Sequence, residues 1–135
     1  METDFVTLPA AERLKAINFK ERALTYFEDG KPKLHTAIEG WDFNTSFLNC
    51  VSRPTYSQAF KWIRDNHMIG HEIMCPFISY SGKQAKLTNG GIYEVFITDE
   101  EQLGITDEAF MSHSYDEAQI KVLNFLLKIV ESKTK

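Results

Sequence analysis

The chain has 135 residues, of which 43% are hydrophobic and 25% charged, with a net charge of −4. Those values exclude wholesale disorder, a collagen-like repeat and a disulfide-dense mini-protein, and a chain of this length buries a core without a metal or cross-link. No basic run appears, so the electrostatic footprint of a duplex-binding protein is missing, and −4 is too little charge for a DNA mimic.

In chain order, Thr7-Leu8-Pro9-Ala10 opens a first helix, expected over 9–18, with Pro in its first turn and Leu14 and Ile17 toward the core. Residues 23–28 read as a strand, Asp29-Gly30 as a hairpin turn, and 33–38 as the returning strand. Pro32 marks the start of that strand as an edge or turn position. Residues 39–53 have no clear period and are expected to form a long loop, pinned by the burial of Trp41, Phe43 and Phe47.

A second helix is expected over 55–67. Thr55 caps it, Gln58 completes a capping box, and Tyr56, Ala59, Phe60 and Ile63 form an apolar stripe, with Trp62 at its edge. Residues 72–80 and 92–98 read as strands, Pro76 arguing for an edge or bulge, with turns at Ser81-Gly82-Lys83 and Asn89-Gly90-Gly91. The last helix, 115–132, starts at a Ser114 cap with Glu117 supplying the box. Ala118, Val122, Phe125, Leu126 and Ile129 trace its main face, widened by Leu123, Leu127 and Val130. The expectation is one α+β domain spanning 1–135, a small, mostly antiparallel sheet covered by about three helices.

The stretch from Arg53 to His67 contains Pro54-Thr55, Gln58, Trp62 and Arg64 in a Pro-Thr-x-x-Gln-x-x-x-Trp-x-Arg arrangement. It resembles a segment of short, uncharacterised proteins from gut Bacteroidetes and their phages and mobile elements. Those proteins also share an early Tyr/Phe-rich strand, here 24–27, and a late Tyr-x-x-Ala helix, here Tyr115 to Ala118. The resemblance touches about residues 9–30, 53–68 and 92–133. It implies a mobile-element context and a single domain, and carries no assigned activity.

Residues that carry chemistry are sparse. His67 and His71 are four apart with Glu72 adjacent, but Gly70 intervenes, so a helix-terminal His67 and a solvent-facing His71 outweigh a zinc site. Cys50 and Cys75 form no C-x-x-C pair. Cys75 with His71 or His113 has no nucleophile signature, and both cysteines read as small hydrophobes. The glycines at 82 and 89–91 lead into strands rather than a phosphate-binding helix. Seven acids fall within 99–117 without the ligand alternation of a calcium loop. No catalytic residue, metal or cofactor is assigned, and an enzyme is the less favoured reading. The acidic start without a signal-peptide pattern and the absence of a membrane-length apolar run suggest a cytoplasmic protein.

Seventeen aromatic rings are more than one core of this size readily holds, which favours an interaction protein over a catalyst. The expected contact surface is Trp41, Phe43, Phe47, Arg53, Lys61, Trp62 and Arg64, in or beside the only net-positive stretch, 54–98. Lys61 and Arg64 beside an indole suit a small anion or an acidic protein surface. Self-association against the acidic 99–117 segment is a further expectation, with a nucleotide- or metabolite-binding protein as the alternative function.

Overall fold

The computed structural model describes residues 4–35, 40–46, 49–74, 78–81, 84–87, 93–99, 105–106, 112 and 114–133. The protein is α+β, and every strand pairing among these residues is antiparallel. The chain divides into two compact units, Met1–His67 with Leu123–Lys135, and Met68–Val122. No helix among the described residues is long and apolar enough to cross a membrane.

In the first unit, helix α1 (Leu8–Ala16) starts where Thr7 Oγ1 accepts the Ala10 N–H at 3.4 Å, with Pro9 in the first turn. It stops two residues earlier than its sequence pattern suggests. Asn18 adopts a left-handed conformation (φ 72°), and the Phe19 N–H returns to Leu14 O at 3.0 Å while Asn18 N–H bonds Lys15 O at 3.1 Å. This double closure is a Schellman cap, with Asn in the place Gly usually takes. Phe19, just beyond it, is fully buried.

Strands β1 (Thr25–Glu28) and β2 (Lys31–Leu34) form the expected hairpin, with Asp29 and Gly30 both at positive φ. The returning strand is displaced toward the turn; residues 36–38, expected to continue it, lie outside the described residues. β1 lies between β2 and a third strand at Cys50–Arg53, so Pro32 does sit on an edge strand. Alternation of hydrogen bonding from the His35 N–H to Leu24 O bond directs the backbone of residue 32 outward, where a missing N–H costs the ladder nothing.

The third strand is the main departure from the sequence reading. The stretch 39–53, expected to be one irregular loop, contains a single helical turn, α2 (Phe43–Ser46), and β3 (Cys50–Arg53), which pairs with β1. Asp42 caps the turn: its Oδ1 accepts the Asn44 N–H at 3.1 Å, and its Oδ2 accepts the Thr45 hydroxyl. Asn44 then takes the Ser52 N–H on Oδ1 (2.9 Å) and donates through Nδ2 to Phe19 O (2.8 Å). Lys15 Nζ donates to Cys50 O at 2.9 Å. Two outward backbone groups of β3, the Ser52 N–H and the Cys50 carbonyl, are thereby satisfied by side chains, which blunts an edge that would otherwise pair with another chain.

Helix α3 (Tyr56–His67) begins with a complete capping box: Gln58 N–H donates to Thr55 Oγ1 at 3.1 Å, and Thr55 N–H donates to Gln58 Oε1 at 3.0 Å. Tyr56, Ala59, Phe60 and Ile63 are buried as their spacing requires, and Trp62 is buried with them. The C-terminal part of helix α4 (Tyr115–Lys133) adds Leu123, Leu126, Leu127 and Val130 to the buried set of this unit. Phe125 and Ile129 are only half-buried, so the buried stripe is rotated from the one read in the sequence. Arg13 reaches α4 and pairs with Glu131.

In the second unit, β4 (Ile69–Met74) pairs with β7 (Glu94–Asp99), which also pairs with β8 (Ile105–Thr106); β5 (Ile78–Ser81) and β6 (Gln84–Leu87) form a separate two-stranded ladder. The single strand expected over 72–80 is therefore two, with Cys75, Pro76 and Phe77 outside the described residues. The turns expected at Gly82-Lys83 and 89–91 lie outside them too. Ser114 Oγ accepts the Glu117 N–H at 3.1 Å, but the Glu117 carboxylate turns to Lys121 (3.2 Å) instead of closing the box.

Candidate functional site

The residues singled out in the sequence do not gather on one face. Trp41 is 45% exposed, and Phe43 is 3% exposed. Phe47 lies outside the described residues. Trp62 is 8% exposed, its indole edge-on to Phe19 at 5.3 Å and near His67 at 5.2 Å, so most of it belongs to the core. Lys61 pairs with Asp65 one turn on, and Arg64 is exposed. Lys61, Trp62 and Asp65 line a concavity of about 500 Å³ with Lys20, Glu21, Arg22, Gln58 and Asn66, a wall of mixed charge.

Arg53 is a structural residue. It is 8% exposed, donates through Nε to Val6 O at 3.1 Å, and its guanidinium lies over the rings of Phe5 (5.3 Å) and Phe27 (5.0 Å). It fastens the segment before α1 to β3, where Val6 N–H also reaches Pro54 O at 3.0 Å. A sequence pattern marks Arg as a contact residue because Arg is usually solvated; two flanking rings and a carbonyl override that default.

A second concavity, of about 490 Å³, brings together residues that the sequence reading left unconnected. Its described lining is Tyr26, Glu28, His35, Trp41, Phe43, Asn49 and Cys50. Alternation along β1 explains half of it: Thr25 and Phe27 are buried, whereas Tyr26 and Glu28 are half-buried on the opposite face. Register brings Cys50 of β3 opposite Glu28, and Ser52 opposite Tyr26. Ser52 Oγ accepts the Phe43 N–H at 2.9 Å, which fixes the phenyl ring against the sheet.

The rings form a row. Tyr26 and Phe43 stack at 4.1 Å with 16° between planes; Phe43 meets His35 edge-on at 5.3 Å; His35 and Trp41 lie 6.5 Å apart at 23°. Gly40 places Trp41. Its φ is +72°, and a Cβ there would stand 2.8 Å from Ala23 O, so only glycine lets Trp41 exchange backbone hydrogen bonds with Ala23 at 2.9 and 3.0 Å.

The other end of the concavity is polar. Among the described residues no ion pair engages the Glu28 carboxylate, even though Lys31 stands opposite it in register. Burial pushes the Cys50 thiol up from its usual range, and the negative charges of Glu28 and Asp29 add to that, against a smaller opposing effect of Lys15. A thiol held protonated is a poor nucleophile and a poor metal ligand. No cluster of three metal-ligating side chains occurs among the described residues.

Alternating polar positions 26 and 28 on a strand that ends in Asp-Gly were a usable sign of this face; nothing local tied them to His35, Trp41 or Cys50. Compared with known proteins, the chain matches no protein-family model, no curated protein and no solved structure.

Proposed function

We propose that the protein is a small interaction or regulatory protein that acts by binding a protein partner, and that the concavity of the first unit is where it does so. The observation that supports this is the row of four rings, which opens at the 45%-exposed Trp41 and leads toward the Glu28 carboxylate, which no ion pair among the described residues engages. Aromatic residues in a partly desolvated pocket concentrate binding energy, and a large exposed ring beside a recess is the usual form of an interface anchor site. The resemblance to short Bacteroidetes and phage proteins goes with a mobile-element context.

The test is capture of partners from host extract by the wild-type chain and by Trp41→Ala, with mass spectrometry of proteins and of small molecules released on denaturation. Loss of a captured protein in Trp41→Ala is the expected result. An identical set of captured proteins with both chains overturns the reading. A volume near 490 Å³ also falls in the size range of small-molecule sites. A stoichiometric metabolite released from wild type but not from Trp41→Ala replaces the protein-partner reading with a metabolite-binding one.

A further inference from the structure

The geometry points to a guanidinium as the group this concavity receives: an arginine side chain of the partner, laid against the ring row and paired with Glu28. The inference rests on the partner-binding reading above and specifies its chemistry.

Three features converge. The walls are flat, with Tyr26, His35, Trp41 and Phe43 supplying ring faces or edges within one recess. Guanidinium is itself flat, weakly hydrated, and stacks on aromatic rings while its N–H groups stay free to bond at its edge. The polar end carries a carboxylate that is half-buried and unengaged by any ion pair among the described residues. A carboxylate is the acceptor that a guanidinium meets in bidentate fashion. The third feature is the local field. Asp29 follows Glu28, while Lys15, which also reaches this end, already donates its ammonium to Cys50 O at 2.9 Å. Burial is the main cause of the raised Cys50 thiol, and the charges of Glu28 and Asp29 add to it against a smaller effect of Lys15.

Other occupants fit less well. An anion would meet the carboxylates of Glu28 and Asp29, and neither Lys nor Arg is among the described lining residues. A neutral ring would stack but leave the Glu28 carboxylate partly desolvated and unpaired, which costs free energy. A lysine ammonium would satisfy the charge, but it is compact and strongly hydrated, and forfeits the stacking.

The experiment titrates the full chain with the peptide acetyl-Gly-Arg-Gly-amide, following the indole N–H signals by NMR, with the Trp41 signal assigned through Trp41→Phe. The same peptide with citrulline in place of arginine keeps the planar shape and removes the charge; one with lysine keeps the charge and removes the plane. The expected result is saturable movement of the Trp41 signal with the arginine peptide. Binding should be at least about tenfold weaker with citrulline and with lysine, and about tenfold weaker for Glu28→Gln than for wild type, the scale of one charge-assisted pair. An unchanged urea midpoint in Glu28→Gln shows that its fold is intact. Equal binding of the arginine and citrulline peptides, equal or tighter binding of lysine, or no effect of Glu28→Gln overturns the proposal. If no peptide saturates while Trp41→Ala still loses a captured protein, the guanidinium falls and the partner-binding reading stands. If both fail, both fall.

Discussion

Replacing Arg53 with Met retains most of the side-chain stem and removes the guanidinium, and the structure gives the cost. The Nε bond to Val6 O is a hydrogen bond from a charged donor, worth about 1.5–3 kcal/mol net. Each ring contact, to Phe5 at 5.3 Å and Phe27 at 5.0 Å, adds about 0.5–2 kcal/mol. Against this, Met need not be stripped of the water that a charged head loses on burial, which offsets part of the sum. The expected net loss is roughly 2–4 kcal/mol. With a urea slope of about 1–3 kcal/mol per molar for a chain of this size, the midpoint should fall by roughly 1–2 M. Tryptophan fluorescence is the appropriate signal, because Trp41 and Trp62 both belong to the first unit. Arg53→Lys should fall between wild type and Arg53→Met, since an ammonium keeps the charge but cannot present Nε to Val6 while lying flat on two rings. A loss below about 0.5 kcal/mol in Arg53→Met, the range of an ordinary surface substitution, would refute the structural role and return Arg53 to the exposed contact surface.

Two further outcomes are expected. Gly40→Ala puts a Cβ 2.8 Å from Ala23 O at a φ of +72°, so it should cost roughly 2–3 kcal/mol and shift the Trp41 indole signal, whereas a neutral change would show that the Ala23–Trp41 bridge does not need glycine. Burial, with a smaller contribution from Lys133, holds His67 below its ordinary value, outweighing the helix C-terminus that would favour its charge. The unfolded chain therefore takes up that proton first: the contribution to stability is complete above the usual histidine value of about 6.5 and is lost as pH falls below it toward the lower folded value. His67→Gln should narrow the difference between urea midpoints at pH 7.5 and pH 5, and an unchanged difference would show that His67 titrates alike in both states.

What the sequence determined by itself was local. The Thr55–Gln58 box, the Ser114 cap, the Asp29-Gly30 turn and the edge position of Pro32 are each settled by a few neighbouring residues, and each stands where the pattern placed it. The apolar stripe of α3 was legible for the same reason, since helical spacing alone aligns Tyr56, Ala59, Phe60 and Ile63. Tertiary structure decided the rest. Strand β3 has only four residues and exists because β1 offers it a ladder and Asn44 and Lys15 satisfy two backbone groups on its outer edge. No period over 39–53 can encode partners at residues 15 and 25–28. Arg53 and Trp62 carry the residue types of an exposed contact surface, yet long-range neighbours (Phe5, Phe27 and Val6 for one, Phe19 for the other) draw them inside. The concavity is likewise a product of register: Glu28 meets Cys50, and His35 meets Phe43 and Trp41, only once hairpin, helical turn and third strand are assembled. Short-range propensity acts over three or four residues, whereas a site is made by side chains that folding alone brings within a few ångströms of one another.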